Sequence, residues 1–168
     1  MPLSMYDTTV PVLERALGNL DALLVKGEEH AAAQGLDLSE LATARLAPDM
    51  FPLTGQVQSA SDSAKFAVAR LTGTEAPSFP DTETTFEELH QRIAKTLDFI
   101  ASVDPAAFEG SETRAIVTKS RRGERHFVGQ SYLLTFALPN FFFHVTTAYD
   151  ILRHKGVPVG KSDYLGAF

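Results

Sequence analysis

Cysteine is absent from the 168 residues. That excludes disulfides and thiolate chemistry, and it leaves any metal to His, Asn, Gln or carboxylate ligands. An excess of positive charge is missing too. Fifteen Lys and Arg stand against twenty-one Asp and Glu, a formal charge of −6, which argues against nucleic acid or an anionic membrane as the main partner. The one basic cluster, Lys119, Arg121, Arg122 and Arg125, is interrupted by Gly123 and Glu124 and reads as a solvated turn. At Met1-Pro2-Leu3-Ser4 there is no charged region leading into an apolar run, so no secretory signal is read and the cytoplasm is the default location. No Gly-rich phosphate loop, Ser-His-Asp order or nucleophile elbow occurs.

A second long apolar segment is also lacking. Tyr132 to Leu152 is nearly continuous in apolar residues and about as long as a bilayer-spanning helix. It contains Pro139, Asn140, His144 and Asp150, which are costly in lipid, so a buried central helix is expected and no membrane contact.

What remains is helical periodicity. Tyr6, Val10, Leu13, Leu17, Leu20 and Leu24 recur in steps of four and three, one face of a first helix that ends before Gly35. Ser4 and Asp7 offer its cap, and Pro11 either kinks it or sets its start nearby. A connection of roughly fifteen residues, with a short turn around Ser39 to Ala44, leads to Asp49 as cap of a second helix with Pro52 in its first turn. Leu53, Val57, Ala60, Ala64, Ala67 and Leu71 form its stripe, and Gly73 stops it. Thr74 to Thr84 reads as a loop. Thr85 and Glu88 make a capping box for a third helix with Phe86, Leu89, Ile93, Leu97 and Ile100 inward, closed by Asp104-Pro105. Ala115 to Thr118 and His126 to Val128 flank a Ser-Arg-Arg-Gly turn and suggest a small hairpin. A fourth helix is expected from about Ser131 to Lys155, bent or split at Pro139, with Gly156 beyond it. Residues 1–168 are therefore read as a single, all-α domain, an antiparallel four-helix bundle with a hairpin or irregular insert between its third and fourth helices.

The chemistry centres on Asn140 and His144. Four residues apart, they stand one above the other on one helix face among apolar neighbours, and buried polar groups need partners. A metal, a water, a ligand or a facing carboxylate would serve, as would a purely structural contact. Gln58 and Asp62, one turn apart on the second helix, are placed to face His144 across the bundle. The alternative pairs Asp62 with Lys65 or Lys161 at the surface. His30 and His90 lie among charged residues and read as exposed, and Lys161, Asp163 and Tyr164 form a polar tail cluster.

The stretches Leu138-Pro139-Asn140-Phe141-Phe142-Phe143-His144, Tyr149-Asp150-Ile151-Leu152-Arg153-His154-Lys155-Gly156, Pro48-Asp49-Met50-Phe51-Pro52-Leu53 and Gly160-Lys161-Ser162-Asp163-Tyr164-Leu165-Gly166 resemble an uncharacterised family of the DinB/YfiT-like metalloenzyme superfamily. The resemblance implies a four-helix bundle, often dimeric. In the wider superfamily it implies a divalent metal on three histidines, one from the second helix and a His-x-x-x-His pair from the fourth. Matching Leu152-Arg153 and Gly156 to that pattern puts the second histidine of the pair at His144 and the first at Asn140. The second helix offers Gln56, Gln58 and Asp62 instead of a histidine.

Two functions follow as expectations. One is a small-molecule pocket in the core around Asn140 and His144, with Gln58 and Asp62. It would be a metal-dependent or degenerate-site enzyme holding zinc or nickel on His144 and Asn140, or having lost the metal. The other is a non-catalytic homodimeric binding or assembly protein in which the same residues are core polar contacts.

Overall fold

The computed structural model describes residues 3–120 and 123–167. In chain order these form α1 (Val10–Gln34), α2 (Leu38–Ala42), α3 (Leu53–Thr72), α4 (Phe86–Ala101), β1 (Ala115–Ser120), β2 (Gly123–Val128), α5 (Gly129–Tyr132), α6 (Leu138–His154) and α7 (Lys161–Leu165). The protein is mostly helical with one two-stranded sheet, so it is not purely all-α. The expected hairpin is present. Ala115 pairs with Val128 and Ser120 with Gly123 in antiparallel register, and Ile116 is buried beneath. Arg121 and Arg122 of the expected solvated turn lie outside the described residues. Among their neighbours, Lys119 pairs with Glu124 at 3.1 Å and the Arg125 guanidinium lies 5.5 Å from the Phe136 ring.

The three expected stripes and the apolar fourth helix meet in one core. Leu13, Leu17, Leu20 and Leu24 of α1, Leu53, Val57, Ala60 and Ala64 of α3, Phe86, Leu89 and Ile93 of α4, and Phe141, Val145 and Leu152 of α6 are buried together. Alanines dominate the α3 stripe, which lets α6 approach closely. Helices α3 and α6 run in opposite directions. Helices α3 and α4 do not: after α4 the chain returns to the C-terminal end of α3, where Arg114 lies against Gly73 and Ser111 against Gly129, itself beside Leu71. The wholly antiparallel arrangement expected from sequence fails at this pair, because the 74–85 connection crosses back along the helices instead of turning at their end.

Helix ends follow local chemistry. The turn before α1 is closed by Ser4 and Asp7, whose side chains hydrogen-bond at 2.7 Å, and Pro11 sits in the first turn of α1 without a kink. Thr85 accepts from the Glu88 amide, while Glu88 reaches back to the Thr85 amide, the expected capping box. Asp49 does not cap α3. Residues Ala47 to Met50 close their own turn, and Pro52 occupies the cap position in extended conformation. Pro139 neither splits nor breaks the last helix, which starts at Gly129 and widens into one π turn, Leu133–Ala137, before α6. Proline removes one backbone donor and crowds the carbonyl one turn back, and a widened turn on that side relieves both. Among the described residues no helix is long and apolar enough to cross a membrane.

Candidate functional site

The interface of α3 and the last helix carries three polar pairs. Gln56 Oε1 lies 2.8 Å from His144 Nδ1, Asn140 Nδ2 donates to Ser63 Oγ at 2.7 Å, and Arg70 Nη1 donates to Tyr132 Oη at 3.0 Å. On α3 the partners are spaced by seven residues, two turns of one face. On the other helix an ordinary two-turn step back from Asn140 would reach Leu133. The extra residue of the π turn brings Tyr132 opposite Arg70 instead.

Hydrogen-bond direction fixes the protonation of His144. Gln56 Nε2 donates to the Phe51 carbonyl at 3.1 Å, so its Oε1 must face the imidazole. His144 therefore carries its proton on Nδ1, and the lone pair is on Nε2. Burial pushes the His144 pKa down, which favours the neutral ring. Nε2 has no partner among the described residues and is not sealed from solvent. Ser63 gives its own proton to the Ser59 carbonyl at 2.7 Å, so it can only accept from Asn140, and Asn140 Oδ1 has no partner among the described residues.

Asn140 borders a cleft of about 160 Å³ with Asp62, Ser63, Phe66, Arg70, Tyr132 and Phe136. His144 does not line this cleft. Gln56, and not Gln58 or Asp62, faces His144. Gln58 donates to Glu83 Oε2 at 3.0 Å. Asp62 Oδ1 accepts from Arg92 Nη2 and Lys65 Nζ, both at 2.8 Å. The Asp62–Lys65 contact is thus made, but with a lysine that is buried and not at the surface.

This donor set does not fit a tightly held zinc or nickel ion. The nitrogen of His144 nearest α3 bears a proton, the residue facing it is an amide, and the amide nitrogen of Asn140 is a donor. One imidazole and neutral amide oxygens are a weak set for either metal. Among the described residues, no three His, Asp or Glu side chains are grouped so as to hold a metal.

Sequence reasoning missed Arg70, Glu83, Arg92 and Tyr132, and it placed Lys65 at the surface. One signal was available: Arg92 and Thr96 fall on the same face as Leu89, Ile93 and Ile100, a cation inside an apolar stripe. His90, read as exposed, is half-buried. Its Nδ1 lies 2.5 Å from Asp21 and its Nε2 3.2 Å from Glu28, both on α1. The tail cluster packs back on the helices. Lys26 pairs with Asp163 at 2.6 Å, Asn19 Nδ2 donates to the Tyr164 carbonyl at 3.1 Å, and the Tyr164 and Thr146 hydroxyls lie 3.0 Å apart.

Residues 5–165 match the family described as Domain of unknown function (DUF1993), and the chain belongs to it. The fold and sequence are also similar to a crystal structure of a DinB family member protein from Shewanella denitrificans. That protein is 44% identical over 98% of this chain and 93% of its own, with a TM-score of 0.92. No curated protein matches.

Proposed function

We propose that this chain is a single-domain, cytoplasmic four-helix bundle that binds a small polar molecule at the seam between α3 and α6 without a tightly held metal. The carrying observation is the Phe51–Gln56–His144 relay. It holds a neutral imidazole with its Nε2 lone pair unpartnered among the described residues, one turn from Asn140 Oδ1, which is likewise unpartnered there. Two acceptors on one helix face suit a ligand that presents O–H or N–H donors. The depressed pKa keeps His144 able to accept a proton near neutrality, the condition for a general base in a degenerate-site enzyme.

A thermal-shift screen of small polar molecules on wild type and His144→Gln tests this reading. Compounds that stabilise the wild type should lose their effect in the variant, and hits that survive the substitution would sink the proposal. Elemental analysis after supplying zinc or nickel should find far less than one ion per chain. A stoichiometric metal lost in His144→Gln would restore the metalloenzyme reading.

A specific observation favours a second reading, homodimeric assembly. A groove of about 470 Å³ between α1 and α4, floored by Gly18, Val25, Ala94 and Leu97, leaves Val25 exposed. A second copy is the occupant the superfamily resemblance implies, and light scattering at high concentration should then give the mass of two chains. A monomer removes this reading.

A further inference from the structure

On the side of α3 facing α4, two cations are almost wholly buried: Lys65 is 2% exposed and Arg92 1%. The crossover segment Phe79–Glu83 covers them. The Phe79 ring centre lies 4.5 Å from Lys65 Nζ and 5.3 Å from the Arg92 guanidinium. One carboxylate is gripped from two helices: Glu83 Oε1 accepts from Arg92 Nη1 and Oε2 from Gln58 Nε2, each at 3.0 Å. Asp81 takes Arg92 Nη2 at 3.2 Å, and the Pro80 carbonyl takes Nη1 at 3.3 Å.

The helices prepare this grip independently of the crossover. Thr96 Oγ1 donates to the Arg92 carbonyl at 2.8 Å. Ser61 Oγ therefore donates to Thr96 and is left to accept from Arg92 Nε at 2.8 Å, which fixes the plane of the guanidinium. Lys65 and Arg92 contribute two positive charges and Asp62 one negative, so the helices alone leave the site positive, and the crossover brings two carboxylates, Asp81 and Glu83, to it.

A mere tether would not require this. Packed apolar side chains hold a crossover equally well, and replacing buried ion pairs by them is often neutral or stabilising. Here both oxygens of the Glu83 carboxylate are taken by donors from two residues on different helices, Arg92 and Gln58, the first of them a charge-assisted bond. Beside the grip a cleft of about 220 Å³, lined by Pro52, Gly55, Gln58, Ser59, Asp62 and Asp81, gives approach to it. Asp81 is already 58% exposed at its edge.

We propose that Phe79–Glu83 is an intramolecular occupant of a carboxylate-binding site built by Arg92 and Gln58, with Lys65 held by Asp62 beside it, and that a small dicarboxylate takes the places of Asp81 and Glu83 while the segment swings out. The dicarboxylate is specified by the two crossover carboxylates, Asp81 and Glu83, that share the Arg92 guanidinium with Asp62 of α3. This site lies across α3 from the His144 seam and does not rest on it.

Scanning fluorimetry with succinate, against sodium chloride at matched ionic strength, tests the proposal on wild type and on Asp81→Ala/Glu83→Ala. A tethered competitor acts at an effective concentration in the millimolar range or above, so vacating the site should lower the succinate needed for half the shift by about tenfold or more. Adding Gln58→Leu should abolish the shift. A double variant that responds to succinate no more than to chloride overturns the proposal. An equal response to phosphate overturns the assignment of a planar dicarboxylate. Should the double variant not fold, hydrogen exchange of wild-type amides at Phe79 and 81–83 decides. Faster exchange in succinate supports displacement, and unchanged exchange at saturating succinate overturns it.

Discussion

Gly129 opens α5 where the chain after α4 crosses the end of α3. A Cβ there would run into the backbone oxygen of Ser111, and Leu71 closes the remaining side. Backbone cannot retreat as a flexible side chain can, so Gly129→Ala should destabilise the fold by about 3 kcal/mol, the upper range for overpacking a tight contact. Chemical denaturation measures this, and a change under about 1 kcal/mol would mean the contact is looser than it looks. His144 makes the other residue-scale prediction. Its folded pKa lies below the ordinary histidine value, so its contribution to stability is complete above about pH 6.5 and is lost as pH falls through the folded pKa. Imidazole ¹⁵N shifts should show the Nδ1–H tautomer at neutral pH and a titration midpoint below that of a free histidine. Gln56→Leu should abolish the tautomer preference.

At the scale of elements, Thr85 and Glu88 show what a sequence exposes. A capping box is written in four consecutive residues, and it forms as read. Thr85→Ala removes the acceptor for the Glu88 amide and should cost about 1 kcal/mol in thermal or urea unfolding. The apolar stripes of α1, α3 and α4 were legible for a similar reason, since a period of 3.6 residues needs no knowledge of the partner. The hairpin was legible from its β-prone runs. What failed depends on phase or distance. Gln56 and Gln58 are both polar and two residues apart, and only the rotation of α3 decides that the first meets His144 and the second Glu83. Pro139 announces a disturbance but not its form, because the π turn is set by carbonyls upstream of the proline. Arg92 gathers Asp62, Asp81 and Glu83 across some thirty residues of chain, and only the direction of the crossover brings them together.

Across the whole molecule, His90 and His144 oppose each other. His90 joins α4 to α1 between the carboxylates of Asp21 and Glu28. Burial works against its charged form, but the Asp21 and Glu28 bonds outweigh burial and hold its pKa above the ordinary value. The folded state therefore binds this proton more tightly than the unfolded chain does. The stabilisation from His90 is complete below about pH 6.5 and is lost as pH rises through the raised folded pKa, the reverse of the His144 effect. Between pH 5 and 8 the two slopes run in opposite directions, and wild-type stability should vary less than either histidine alone would make it. Urea unfolding of His90→Gln across that range should show its largest deficit at the acid end, shrinking as pH rises. For His144→Gln the deficit should instead grow toward alkaline pH. Parallel deficits in the two variants would mean that neither imidazole changes its proton affinity on folding, and the α1–α4 clamp would then be a neutral hydrogen bond and not an ion pair.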